Sequence, residues 1–127
     1  MAGKRILIVE DDPSMRKVLH ARLKTEGYDA VPMADAVTAF AEIRKQSPDL
    51  ILLDLGLPGG GGLNLMQRLQ SIPKHSLIPI IVLSARERSS GIEAEVLEKG
   101  ASAFFQKPTE PEVLIGKIRE LLGEPQR

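Results

Sequence analysis

The chain has 127 residues, 43% of them hydrophobic, and its 17 basic and 17 acidic side chains cancel to zero net charge. That length fits one compact domain with its own core, and the charge balance gives no general attraction to nucleic acid or to an anionic membrane surface. The absence of cysteine excludes disulfides, zinc-thiolate sites and a thiol nucleophile, and makes an intracellular protein the expectation.

Ile6-Leu7-Ile8-Val9 is a β-branched apolar run that reads as the first strand. It ends at Glu10-Asp11-Asp12, far short of the apolar core of a signal peptide, and no segment approaches a membrane-spanning length. A soluble, cytoplasmic protein is therefore expected. Pro13 suits the first turn of a helix, whose apolar residues Met15, Val18, Leu19 and Leu23 keep helical spacing until Gly27 stops it.

A short strand, Ala30-Val31-Pro32-Met33, comes next. Asp35 is placed to cap a second helix with Val37, Phe40, Ala41 and Ile43 as its buried stripe. Leu50-Ile51-Leu52-Leu53-Asp54 then reads as a strand buried on both faces, followed by Gly56-Leu57-Pro58 and a run of four glycines, Gly59 to Gly62. So few side chains predict a mobile loop, after which Leu63, Met66 and Leu69 mark a third helix.

Ile78 to Leu83 is a fourth strand, with Pro79 keeping its first residues out of the full ladder, and it stops at Ser84. Ile92, Val96 and Leu97 outline a fourth helix ending at Gly100, and Ala103-Phe104-Phe105-Gln106 is a fifth strand ending at Lys107-Pro108. Thr109 and Glu112 form a capping-box pattern for a last helix with Val113, Leu114, Ile118, Leu121 and Leu122 as its stripe. His20 and His75, without partners at metal spacing, read as a helix-surface and a loop residue.

Strands alternating with helices imply right-handed crossovers and an α/β fold, a doubly wound parallel sheet covered on both faces. All strand C-terminal ends then share one edge, which collects Glu10, Asp11, Asp54, Ser84 and Lys107. Three carboxylates gathered there stay ionised only beside a cation, and an all-oxygen donor set suits Mg²⁺. Asp54 beside Mg²⁺, the Lys107 ammonium and the Ser84 hydroxyl has what forming an acyl phosphate requires: a nucleophile, and charge compensation on the transferring oxygens.

Four motifs carry a resemblance: Ile8-Val9-Glu10-Asp11-Asp12, Leu52-Leu53-Asp54-Leu55-Gly56-Leu57-Pro58, Leu83-Ser84-Ala85 and Lys107-Pro108, each at a predicted strand end. Over essentially its whole length the sequence resembles the receiver domain of bacterial two-component response regulators. The resemblance implies a flavodoxin-like five-stranded sheet in the order 2-1-3-4-5, a receiver over residues 1–123 and a polar tail or linker stub over 124–127. It implies that Asp54 accepts a phosphoryl group from a sensor histidine kinase or phosphotransfer protein.

It further implies that Asp11, Asp54 and the Gly56 carbonyl ligate Mg²⁺ while Glu10 holds a metal-bound water. Ser84 would reach the phosphoryl oxygens, Lys107 would pair with them, and Phe104 would stand at the position of the switch aromatic, which moves inward. The Lys107-Pro108 bond would be cis. Partners would meet a surface built by the fourth helix, fifth strand and fifth helix, shared with a downstream effector or with a second copy in a homodimer. Neither nucleic acid nor membrane is expected to bind this domain itself.

Two other functions compete with this one. An aspartate-nucleophile phosphatase of the haloacid dehalogenase type requires a second Asp two residues after the nucleophile, where this chain has Gly56. A degenerate receiver acting only as a binding module would not be expected to keep Glu10, Asp11, Asp54, Ser84 and Lys107 together.

Overall fold

The computed structural model describes residues 3–86 and 90–123; the expected tail at 124–127 lies outside the described residues. Five parallel strands, β1 (Arg5–Val9), β2 (Asp29–Met33), β3 (Leu50–Asp54), β4 (Ile80–Ser84) and β5 (Ala103–Gln106), form one sheet in the order β2-β1-β3-β4-β5. The helices are α1 (Pro13–Thr25), α2 (Ala36–Lys45), α3 (Gly61–Gln70), α4 (Pro73–Ser76), α5 (Ile92–Glu98) and α6 (Pro111–Leu122). This is the expected doubly wound fold. The short α4 was not foreseen, so the helices anticipated as fourth and fifth are α5 and α6.

Alternation along the strands divides the core in two. Leu7, Val9, Ile51, Leu53, Ile80, Val82 and Phe104 face α2, α3 and α5. Ile6, Ile8, Leu50, Leu52, Ile81, Leu83 and Ala103 face α1 and α6. Every residue of β3 and β4 is buried, which is why these strands read as unbroken apolar runs. Pro79 precedes β4 rather than joining it, and its carbonyl accepts from Ile51 N–H.

Several helix faces differ from expectation. The Asp35 carboxylate caps α2 as expected, accepting from Thr38 N–H at 2.8 Å, but the buried face is not the expected one. Ala36 becomes the first helical residue, so Ala39, Phe40 and Ile43 face the sheet, while Val37 is 78% exposed and Ala41 is exposed too. In α1 the stripe is narrower than its spacing suggests: Leu23 is buried, Met15 and Leu19 are half-buried, and Val18 faces out.

At α6 the capping box does not form. The Thr109 hydroxyl donates instead to the Gln106 carbonyl at 2.9 Å, and the helix starts at Pro111, where a missing N–H costs nothing. Leu114, Ile115 and Ile118 are its buried residues, Val113 is exposed, and Leu121 and Leu122 are half-buried. In α5, Ile92 and Val96 are buried and Leu97 is not.

The glycine run, expected as a loop, forms a turn and the start of a helix. Pro58–Gly60 makes a 3-10 turn with Gly59 at φ +66°, and α3 begins at Gly61. At Gly62 a Cβ would lie 3.0 Å from the Asp54 carbonyl oxygen and 3.1 Å from the Leu55 Cα, so α3 meets the end of β3 through bare backbone. Arg68 of α3 places its guanidinium 3.8 Å from the centroid of the Phe40 ring of α2, a cation–π contact between the two helices.

His75 is not a loop residue. It sits in α4, 3% exposed, and its Nδ1 has no hydrogen-bond partner. Burial holds its pKa below the ordinary value, helped by the positive charges of Lys74 and Arg44.

These contacts bear on stability at two helices. A methyl group added at Gly116 would meet nothing within 4 Å, whereas one at Gly62 would abut backbone that cannot swing away. In urea unfolding, Gly116→Ala is expected to gain about 0.5–1 kcal/mol, and Gly62→Ala to lose about 1 kcal/mol despite its better helix propensity. Equal gains at both sites would contradict the close approach.

For His75 the folded pKa is depressed, so the unfolded chain binds the extra proton first. Its contribution to stability is complete above the unfolded value of about 6.5 and is lost as pH falls through the folded value. Thermal melts between about pH 7.5 and 5 should fall more steeply for the wild type than for His75→Leu; parallel curves would exclude a buried neutral imidazole.

Candidate functional site

Strand register builds the site. Val9 pairs with Leu53, so the next residues, Glu10 and Asp54, end neighbouring strands at the same level. Ser84 pairs with Gln106, and the following residue, Lys107, donates its backbone N–H to the Ser84 carbonyl at 2.7 Å. The Lys107–Pro108 peptide bond is cis, as expected.

Glu10, Asp11, Asp54 and Lys107 come together. The Lys107 Nζ donates to Glu10 Oε1 at 2.9 Å and lies 3.3 Å from Asp54 Oδ1. Asp54 Oδ1 also accepts from Gly56 N–H at 2.9 Å, and Glu10 Oε2 accepts from Asp12 N–H at 3.2 Å. Glu10 and Asp54 are 1% and 5% exposed, while Asp11 stands in solvent. One carboxylate oxygen from each of the three acids lies within 4.8 Å of the other two.

Such crowding moves the titrations. Burial works to raise the Asp54 pKa, but the Gly56 N–H, the Glu10 side chain and the Lys107 ammonium outweigh it and bring the value below that of an ordinary aspartate. For Glu10, burial raises the pKa and contact with Asp54 adds to it, against the opposing pull of Lys107 and the Asp12 N–H. Lys107 loses solvation, which would lower its pKa, yet Glu10 and Asp54 hold it above the ordinary lysine value. Within this trio the surroundings favour the charged forms of Asp54 and Lys107 and oppose that of Glu10.

Ser84 lies at the end of β4, 2% exposed, its Oγ accepting from Arg86 N–H at 3.0 Å. Phe104 is 4% exposed and packs in the cluster with Val82, Ile92 and Val96. Gly56 follows Asp54 in an exposed turn. Asp12 caps α1, accepting from Ser14 N–H. Sequence alone does not single out Arg16, yet its guanidinium reaches the Glu10 and Asp11 carbonyls. The available signal was its place four residues after the Asp12 cap, because helical side chains lean toward the N-terminus.

Residues 6–119 match the family model for the response regulator receiver domain. The chain belongs to this family. The receiver is 36% identical over 119 residues to the DNA-binding response regulator MtrA of Mycolicibacterium smegmatis, covering 94% of this chain and 50% of that protein. It is 37% identical over 123 residues to the phosphate regulon transcriptional regulatory protein PhoB of Pseudomonas aeruginosa, covering 96% of this chain and 53% of that protein. The chain thus spans about half the length of the curated relatives it matches.

Among solved structures, the receiver superposes on the BeF3-activated N-terminal receiver domain of Klebsiella pneumoniae RstA with a TM-score of 0.84 and 34% identity, covering 93% of this chain and 97% of that one. The receiver domain of sensor histidine kinase PA1611 from Pseudomonas aeruginosa, with a magnesium ion coordinated in its active site cleft, gives 0.86 at 29% identity, covering 97% and 100%. Membership of this family sets aside the haloacid dehalogenase alternative. No helix among the described residues is long and apolar enough to cross a membrane.

The ion pairing makes Lys107 testable by substitution. Because the folded pKa of Glu10 is raised, its own contribution to stability is present at acid pH and is lost as pH rises through that value. Above it, Lys107 is what makes the ionised Glu10 and Asp54 tolerable. Lys107→Met should therefore lose about 1–3 kcal/mol in urea unfolding near pH 7.5, and progressively less as the pH is lowered and Glu10 takes up its proton. A loss independent of pH would argue that Lys107 acts through packing alone.

Proposed function

We propose that this receiver is a phosphoacceptor signalling domain in which Asp54 is the residue phosphorylated. The observation that carries the reading is a buried Asp54 at the end of a central strand, with the Lys107 ammonium 3.3 Å away and Glu10 and Asp11 within carboxylate reach. An Asp54 oxygen attacks the phosphorus of a phosphohistidine. A P–O bond forms, the P–N bond breaks, and the imidazole departs with the electron pair.

Asp11, Asp54 and the Gly56 carbonyl would hold Mg²⁺, with Glu10 acting through a water; the three clustered carboxylates are hard oxygen donors that fit this ion. When bound, Mg²⁺ offsets the negative charge that gathers on the transferring phosphoryl oxygens. Lys107 supplies the second positive charge. Ser84 keeps a hydroxyl hydrogen to donate to a phosphoryl oxygen while its Oγ still accepts from Arg86 N–H. The magnesium named for the PA1611 receiver supports this assignment.

The phosphoryl group then biases the surface of α5, β5 and α6 toward a partner, a downstream effector or a second copy. Phe104 is already packed inward, so a hydrogen bond from Ser84 to the phosphoryl group holds this arrangement rather than creating it. A sensor histidine kinase or phosphotransfer protein is the donor, and the cytoplasm is the compartment where it would be met. The receiver occupies residues 1–123 in this reading.

Intact mass after incubation with Mg²⁺ and acetyl phosphate tests it. The wild type should gain one phosphoryl adduct, and Asp54→Asn should gain none, as should the wild type without Mg²⁺. An adduct that survives Asp54→Asn, or a folded Mg²⁺-bound wild type that takes up no phosphoryl group, would sink the assignment.

A further inference from the structure

Arg16 stands on α1, one turn beyond the cap, and its side chain turns back over the loop that carries Glu10 and Asp11. Its Nη1 bears two hydrogens and donates to the Glu10 carbonyl at 2.9 Å and to the Asp11 carbonyl at 3.3 Å. These carbonyls belong to the two peptide groups on either side of the Asp11 Cα. Because each peptide group is planar, gripping both fixes φ and ψ of Asp11, and so the direction of its Cα–Cβ bond.

Asp11 needs such help more than its neighbours do. Glu10 is held through its N–H by the Met33 carbonyl and through its carboxylate by Lys107 and Asp12 N–H. Asp54 is held by its strand, by Gly56 N–H and by Lys107. The exposed Asp11 carboxylate makes no hydrogen bond or ion pair to any side chain among the described residues. A cation near a helix N-terminus also opposes the helix dipole, so electrostatics within α1 does not explain the placement of Arg16.

We infer that Arg16 is a positioning residue for the divalent cation: by clamping the peptide groups that flank Asp11, it aims that carboxylate at the site shared with Glu10 and Asp54. The inference rests on the proposed metal site. It has a distinguishing sign. As a mere positive charge near the cation, Arg16 would weaken Mg²⁺ binding, and its removal would tighten it. As a clamp, its removal loosens it.

Calorimetric titration of Mg²⁺ into the folded protein at fixed ionic strength decides between the two. Arg16→Ala should weaken Mg²⁺ binding by about tenfold, as loss of an outer contact to a metal ligand does. Lys17→Ala, which removes a positive charge from the next, exposed position of the same helix, should leave the affinity unchanged or slightly raised. Arg16→Lys, with a single ammonium in place of the planar fork, should fall between wild type and Arg16→Ala.

Melting without Mg²⁺ shows whether each variant is folded; if Arg16→Ala is not, a loss on the order of threefold in Arg16→Lys is the expected result. An Arg16 variant that binds Mg²⁺ as tightly as the wild type, or more tightly, overturns the clamp. A folded wild type that binds no Mg²⁺ overturns the metal site itself, and the clamp with it.

Discussion

Three carboxylates forced to one end of a sheet repel one another, and the rest of the structure is arranged around making that repulsion tolerable. Lys107 is the cation among the described residues that touches two of them, Glu10 and Asp54. It can do so because β4 and β5 pair in a register that leaves Lys107 one residue beyond the partner of Ser84, with its N–H on the Ser84 carbonyl. β1 and β3 pair so that Glu10 and Asp54 end level. A slip of one residue in either pairing would reverse which face each side chain meets and would dismantle the cluster. The apolar layers on both faces of the sheet hold that register, so core packing and site chemistry are one problem.

What surrounds the cluster holds the Asp54 pKa below the ordinary aspartate value and the Glu10 pKa above the ordinary glutamate value. For Glu10 burial is the dominant influence, whereas for Asp54 burial is outweighed by the Gly56 N–H together with Glu10 and Lys107. Backbone geometry and one shared ammonium together set the two carboxylates apart.

The strands and the site were legible in the sequence because both depend on short-range signals. Apolar runs such as Leu50 to Leu53 mark buried parallel strands, and the charged residue that ends each run is carried to the common edge by topology. Helix faces were less legible because a shift of one residue turns a helix by about 100°, and apolar spacing does not record which of two neighbouring positions packs on the sheet. In α2 the expected Asp35 cap formed, yet Ala39 rather than Ala41 entered the core, and the failure of Thr109 to cap α6 accompanied the burial of Ile115. The four glycines read as slack because composition records freedom in the unfolded chain, whereas Gly62 is used for contact between backbones. His75 was misread because α4, only four residues long, has no periodicity to detect.

The two ends of the sheet are unequal. At the end where the strands finish, spacing between residues is set by ion pairs that join the ends of β1, β3 and β5. At the opposite end, Arg22 and Arg119 pair with Glu26 and Arg5 pairs with Glu42, but these contacts gather no cluster of acids among the described residues, and Leu77 there is 87% exposed. Changes of loop length should therefore accumulate at that second end across descendants of this chain, while the first end tolerates new side chains on its rim but not new residues within its turns. The direction of the strands thus separates a fixed chemistry from a surface free to diverge, and one scaffold can serve many partners without retuning its acid cluster.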